Sequence, residues 1–487
     1  MANTLSSKKN KDYLILGIIF MVGFMLRIHR VGEDSFWYDE VGQVAAAIQP
    51  KITDTLSMVR GHAGAMPLDY LVTRFMTMFS LQENIIRLPS VLWGSLSIFA
   101  YYILINQINI PYKRQVALLT AFLISVSPVN IQYSQEVRFY ASLMFFYALA
   151  VFFLIKAIAT SATRDWLAYV ASSAVGVFFH PYLMLTTVIG FFFLMDLFLK
   201  RHRSELFIDI YKKNICAYVL SCVLIVILFL PGYLFFHTQD FYTYELGLSP
   251  NSILSGLGFK ATISSESLPS FGVWHLFLAM GVLLGGVFVL KNSGEYFSMI
   301  FLWVSLLIQI ILVIFLDYSN GYPFIPRQII HMTPFVYLLF SIGFMELTLR
   351  FKRVAIQYAF TAVVIIGLFV SALPYINLVY DHSKGGTREI AQIIVERYRP
   401  GQKVLTLSAQ HETTLRFYLS QLVGDDTANE MTLSTTEGMG TFIQSHPEIL
   451  YVYLSRDTNA DVRREIVRLG FEQIKIAEDT DFIFVRP

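Results

Sequence analysis

Charge is scarce in this chain. Asp, Glu, Lys and Arg make up 15% of its 487 residues, where soluble domains carry about 25%. That shortage, with 55% hydrophobic residues and a mean hydropathy of +0.55, excludes an ordinary soluble domain and indicates a multi-span membrane protein. Cysteine is nearly missing as well. Cys216 and Cys222 share one apolar run, which argues for packing and against a disulfide framework or a thiolate metal site. The net charge of +2 is uninformative about nucleic acid, and no nucleic-acid partner is expected. The N-terminal apolar stretch is not followed by a small-residue cleavage site, so it reads as a retained first helix. The chain shows no internal repeat of the kind found in many transporters. Its C-terminal part lacks G-x-G-x-x-G and P-loop patterns, so nothing there supports a nucleotide site.

Long apolar runs are abundant. A run of about 18 or more apolar residues can cross roughly 30 Å of hydrocarbon as a helix. About eleven spans are expected, near 12–28, 88–106, 115–129, 139–158, 166–180, 183–199, 215–236, 273–290, 297–316, 328–348 and 354–374. The pair flanking His180-Pro181 reads either as two spans or as one broken helix. Lys and Arg set the orientation. With the N-terminus inside, every cytoplasmic piece carries one of them: SSKKNK, PYKRQ, 156–165, KRHRSELFIDIYKKN, KNSGEY and LRFKRV. Loop 1, roughly 29–87, has more cations but is long, and long loops count less; the other opposite loops are poor in both, with Lys260 the only one across 237–272. The expectation is a plasma (inner) membrane protein with a cytoplasmic N-terminus and an extracytoplasmic C-terminus.

Two regions outside the spans have their own pattern. In loop 1, roughly 29–87, VGQVAAAI and PLDYLVTRFMTMFSL repeat apolar residues at helical spacing. They are expected as short helices that either lie in the membrane interface or pack on the bundle. After about residue 380, helices are expected at TREIAQIIVERYRPGQ, HETTLRFYLSQLVG and NADVRREIVRLGF. Strands are expected at KVLTLSA, EILYVYLS, FEQIKIAE and DFIFVRP. That alternation predicts a small α/β domain with a largely parallel sheet. The expected division is therefore a transmembrane module, 1–379, that includes loop 1, and an extracytoplasmic domain, 380–487.

The unusual polar residues fall on the outer side. FWYDE places Asp39 and Glu40 just past the first span, His62 lies in GHAGAMPLDY, and Arg87 opens the second span. YSQEVRFY carries Tyr133, Gln135, Glu136 and Arg138; His180 and Tyr182 follow, and Arg327 stands in GYPFIPRQ. Ionisable groups near a bilayer boundary cost free energy unless paired or hydrated. Each also has a plainer explanation. Arg87 and Arg327 can snorkel to headgroups, His180 can cap a helix end, and Asp39 and Glu40 can cap the next helix. Trp37 and Tyr38 either anchor at headgroup level or stack on a sugar. The conjunction of D-E and Q-E-x-R on one face carries more weight than any single residue.

These residues form a recognisable set. R-x-H-R-x(6)-W-Y-D-E-V-G, M-P-L-D-Y-L, R-L-P-S-V-L-W-G and Y-S-Q-E-V-R-F-Y resemble the polyprenyl-phosphate-sugar-dependent glycosyltransferases of the GT-C superfamily. Within it they are most similar to the family 39-like group related to protein mannosyltransferases and aminoarabinose transferases. P-R-Q-x(5)-P-F resembles a late arginine-containing segment of these enzymes. The resemblance implies a polytopic, GT-C-like helical fold, a polyprenyl-phosphate-linked sugar donor, and an acceptor hydroxyl on protein, lipid or glycan. It implies Asp39 as the catalytic base, with Glu40 positioning acceptor or donor. GHAGAMPLDY departs from the tighter P-P-L-Y-Y of relatives, which leaves His62 as a weak substitute there.

The chemistry matches the residue types. A carboxylate within reach of the attacking hydroxyl accepts its proton. The lipid-phosphate leaving group gains negative charge, which the planar fork of arginine stabilises; Arg138 and Arg327 are the first candidates and Arg87 the third. Glu136, Gln135, Tyr133, His62, His180 and Tyr182 are expected to bind or position substrate. No cofactor is expected, and the acids and His180 lack the compact spacing of a zinc site, so a divalent metal is not expected to be essential. A transporter or flippase for a lipid-linked sugar would instead place ionisable groups near span centres. A non-catalytic binding factor would keep the fold without needing Asp39.

Overall fold

In a computed structural model the described residues are 2–60, 65–200, 205–236, 248–261, 271–292, 297–319, 324–382, 386–434, 439–454, 460–474 and 482–486. The chain forms two compact units. One comprises Met1–His29, Lys51–Val72 and Arg87–Val379, the other Arg30–Pro50, Thr73–Ile86 and Tyr380–Pro487. Loop 1 is thus divided, and two of its pieces group with the C-terminal residues rather than with the spans. Polar bonds tie these pieces to the C-terminal residues: Arg388 pairs with Glu83 at 2.8 Å, and Phe36 N donates to the Tyr418 hydroxyl at 2.5 Å.

The first unit is a helical bundle. All eleven expected spans are helical, but fewer meet the demands of a crossing. Among the described residues eight helices are long and apolar enough, or nine if Lys113–Val126 and Pro128–Ser134, bent by 60°, form one span. Two expected spans fall short. Ala2–Ile28 carries Lys11, Asp12 and Arg27 along its apolar stretch, and Thr163–Val177 has only 15 residues. The bend follows from Pro128, which has no N–H to continue the preceding helix. Pro181 likewise ends a helix, and the chain turns through Pro181–Leu185 before Thr186–Lys200. The apolar stretch of Pro326–Thr348 is 94% buried and that of Ile208–Phe236 only 22%, so the former is central in the bundle and the latter peripheral.

Small residues set the closest approach in the bundle. Val273–Lys291 packs on Thr333–Thr348 through Gly281, Gly285 and Gly343. A Cβ on Gly343 would meet Gly285 N at 2.4 Å, so the two backbones touch, as in membrane helix pairs built on small-xxx-small spacing. Arg27 ties the first helix to the bend. Fully buried, it donates from Nη2 to Ile124 O at 2.9 Å, from Nη1 to Ser125 O at 3.1 Å and from Nε to Ser134 Oγ at 3.2 Å.

In the second unit, strands β1 (Lys403–Thr406), β2 (Thr432–Ser434), β3 (Ile449–Leu454), β4 (Glu472–Ile474) and β5 (Phe482–Val485) form one sheet in the order β2-β1-β3-β5-β4. β1 runs parallel to β2 and β3, with Leu405 opposite Leu433 and Val452, while β5 runs antiparallel to β3 and β4. The expectation of a largely parallel sheet is corrected to a mixed one. A parallel crossover needs about a dozen residues or more, and the connection 475–481 is too short for it. β2 and the helices Asp425–Met431 and Met439–Ser445 were not expected from the sequence. Leu405, Ile449, Val452, Ile466, Phe471 and Phe484 form the core of the sheet and its helices.

Candidate functional site

In the second unit FWYDE starts a helix. Tyr38–Ala47 begins with Asp39 and Glu40 in its first turn, where carboxylates complement exposed N–H groups. Asp39 is half-buried. Glu40 is fully buried, and its Oε2 accepts from Trp37 N at 3.3 Å. Glu40 therefore has a local task of closing the helix start, which leaves Asp39 as the more accessible of the two carboxylates.

In the first unit the candidates gather around an aromatic wall. Tyr133 and Tyr140 meet edge to face with centroids 5.0 Å apart, Phe139 stacks on His180 at 3.9 Å, and His180 meets Tyr182 edge-on at 4.5 Å. Arg327 lies over the Tyr140 ring at 5.8 Å and Arg138 over Phe139 at 5.7 Å, both cation–π distances. Glu136 is buried, and Glu136 and Arg327 both lie within electrostatic range of Tyr133. Arg138 is within the same range of His180. Both arginines are half-buried. The structure thus brings together Tyr133, Glu136, Arg138, His180, Tyr182 and Arg327.

Two candidates take structural positions. Gln135 Nε2 donates to Arg27 O at 2.9 Å and to His29 O at 2.8 Å, satisfying carbonyls at the end of the first helix. Arg87 is 1% exposed at the start of Leu88–Gln107. His62 lies outside the described residues. His180 is a helix-end residue as well as part of the wall, since its Nδ1 accepts from Tyr182 N at 3.3 Å.

Two residues of this region, Asp317 and Lys260, are not among the site candidates read from the sequence. Asp317, buried near the end of Phe297–Ser319, accepts from the Tyr182 hydroxyl. An acid in an otherwise uncharged span was the available signal. Lys260 lines a cavity with Gln132, Trp274, His275 and Tyr375. His275 Nδ1 accepts from Gly272 N at 3.2 Å, and its ring meets Tyr375 edge-on at 4.7 Å, so the cavity wall is ordered by its own contacts. Lys260 was visible as the lone cation of its segment. Chemically, the unit offers guanidinium and ammonium groups for a phosphate and aromatic faces for a sugar or an isoprenoid. Among the described residues no group of three or more His, Cys, Asp or Glu is placed to hold a metal ion.

Comparison with known proteins gives the same direction. Residues 65–235 match the family model for dolichyl-phosphate-mannose-protein mannosyltransferase. No curated protein sequence matches the chain. Among solved structures, ArnT from Cupriavidus metallidurans bound to undecaprenyl phosphate is similar at 12% identity and a TM-score of 0.52, over 98% of this chain and 98% of its own. The Archaeoglobus fulgidus oligosaccharyltransferase tethered to an acceptor peptide with the NVT sequon is similar at 10% identity and a TM-score of 0.54. That match covers 99% of this chain and 74% of the other. The oligosaccharyltransferase AglB of the same organism, with an inhibitory peptide and a dolichol-phosphate, has a TM-score of 0.53 at 10% identity, over 99% and 74%. At such identities the likeness to these structures is one of fold.

Proposed function

We propose that this GT-C-fold chain is an inverting glycosyltransferase that moves a sugar from a polyprenyl-phosphate donor to an acceptor hydroxyl at the extracytoplasmic face of the plasma membrane. In this reading the start of Ala2–Ile28 lies on the cytoplasmic side and the C-terminal domain on the opposite side. The observation that carries it is the pairing of half-buried Arg138 and Arg327 with the aromatic wall of Tyr133, Phe139, Tyr140 and His180. Such a wall accepts a sugar or an isoprenoid, and two forked cations accept a lipid phosphate. The similar structures solved with undecaprenyl phosphate and dolichol-phosphate support the donor class.

The reaction is one displacement. Asp39 accepts the proton of the acceptor hydroxyl as its oxygen attacks the anomeric carbon. The bond from that carbon to the phosphate oxygen breaks, and the polyprenyl phosphate leaves with the electron pair. Arg138 and Arg327 stabilise the charge it gains, because guanidinium donors fixed in place strengthen their bonds as the charge develops. Glu40, as helix-capping partner, orients the turn that carries Asp39. Glu136 and Tyr182 serve the sugar hydroxyls. With no covalent intermediate, the anomeric configuration inverts.

The test uses full-length protein in lipid nanodiscs with a panel of polyprenyl-phosphate sugars, reading donor binding and sugar transfer or release. Wild type is expected to turn over one donor. Asp39→Asn is expected to bind it and to lose about 10²- to 10⁴-fold in turnover, the usual worth of a general base. Arg138→Gln and Arg327→Gln are expected to weaken donor binding as well. Donor binding without turnover in wild type, even with extracted envelope acceptors, would move the transporter and binding-factor readings ahead.

A further inference from the structure

The C-terminal residues contact loop 1 where FWYDE begins, within the second unit. Ser35 and Phe36 are fully buried. Phe36 N donates to the Tyr418 hydroxyl at 2.5 Å, and that hydroxyl donates to Glu83 Oε1 at 2.8 Å. The other Glu83 oxygen takes Arg388 Nη1 at 2.8 Å. Arg388 then returns to the same short segment. Its backbone N–H donates to Ser35 Oγ at 3.0 Å, and its Nη2 donates to Glu33 O at 2.9 Å. Phe36 also packs edge-on against Phe417, with centroids 6.2 Å apart.

This chain of bonds starts and ends within residues 33–36 and passes through side chains supplied from far along the sequence. Glu83 and Tyr418 are each 5% exposed. Replacing a buried charged network with apolar groups is often neutral or stabilising, so stability alone is a weak reason for it. What such a network does supply is one geometry for the groups it holds. Asp39 stands three residues beyond Phe36, on the turn that Phe36 leads into.

We infer that Tyr418, Arg388 and Glu83 are positioning residues that hold the start of Tyr38–Ala47, and with it the Asp39 carboxylate, in its working orientation. The inference rests on the reading of Asp39 as the base and gives the C-terminal domain a part in that reaction. A displacement of about 1 Å at a reacting group can cost as much as 100-fold in rate, so losing one anchor is felt in turnover before it is felt in donor affinity.

The experiment takes full-length Tyr418→Phe, Arg388→Gln and Arg388→Lys in nanodiscs, with wild type and Asp39→Asn. It measures amide hydrogen exchange over 34–44, exchange of β3 amides 449–454 as a check on the sheet, and kcat and donor KM separately. Tyr418→Phe and Arg388→Gln are expected to raise exchange over 34–44 by about tenfold or more, the worth of one lost buried hydrogen bond to a charged or polar partner. The β3 amides stay protected, kcat falls by about tenfold and donor KM moves within about twofold. Arg388→Lys, which keeps the charge, recovers part of kcat. Unchanged exchange over 34–44, or raised exchange with kcat intact, would overturn the inference. If Arg388→Gln loses β3 protection, Tyr418→Phe and Glu83→Gln decide the matter. Should Asp39→Asn turn over like wild type, the base assignment fails, whatever the exchange data say about positioning.

Discussion

Replacing Arg27 with Met probes how the bend that carries YSQEVRFY is held. The guanidinium is fully buried and donates to Gly23 O, Ile124 O, Ser125 O and Ser134 Oγ. Two of these acceptors have other uses. Gly23 O sits inside a continuous helix, and the Ser134 hydroxyl donates to Asn130 O at 2.5 Å. Ile124 O differs, because the residue four positions on is Pro128, which has no N–H to offer. Ser125 O lies at the same break. Arg27→Met therefore leaves about two buried carbonyls without donors, each worth roughly 1–3 kcal/mol. Removing a buried charge returns part of its desolvation cost, so the net loss is about 2–4 kcal/mol. Unfolding followed by intrinsic fluorescence in mixed micelles should show this loss, with Arg27→Lys intermediate because it restores donors at one point only. Donor binding should weaken alongside, since Glu136 and Arg138 follow directly on the segment that Arg27 and Gln135 tie down. An Arg27→Met protein within about 0.5 kcal/mol of wild type, the range of neutral surface changes, would refute the reasoning.

Further predictions follow from packing and charge. In Val273–Lys291, Gly285→Ala would set a Cβ 2.0 Å from Leu339 O, whereas Gly286→Ala meets nothing within 4 Å. The first should therefore destabilise by about 1–3 kcal/mol and the second stabilise by up to about 1 kcal/mol, read as opposite shifts of the melting temperature. Lys156 at 3.0 Å, with help from the Thr160 hydroxyl, holds the Asp165 carboxyl below its ordinary value of 3.8. Its stabilising contribution is therefore present above that value and is lost as pH falls through the lower folded value. The melting gap between wild type and Asp165→Asn should be constant near neutrality and close in acid; a gap that does not depend on pH would count against the pairing.

Much of the helical part was legible because bilayer burial is a local demand. A helix must satisfy its own backbone in hydrocarbon, so apolar length marked out the eleven expected spans and Pro181 marked one break, while the bend at Pro128 inside the expected span 115–129 was shown by the structure. Tyr133, Arg138 and Arg327 could be singled out as candidates because charged and polar groups at a bilayer boundary are few. The sequence could not show that Gln135 would turn back to the first helix while Arg138 joins the aromatic wall, because neighbouring residues on a bend point to partners that only distant packing supplies. Nor could it show that Glu40 would close its own helix start beside the more accessible Asp39.

What the sequence determined by itself was the membrane character, the helical segments and the α/β pattern after residue 380, together with a set of candidate acids and arginines. Each of these depends on composition or on spacing within a few residues. The tertiary structure alone decided that parts of loop 1 belong with the C-terminal domain and that Arg27 serves a helix broken almost 100 positions away. It also joined Glu83, Arg388 and Tyr418 in one network around Phe36. Those outcomes depend on buried polar groups finding partners, and a buried carbonyl or carboxylate accepts whichever donor the folded chain brings within about 3 Å.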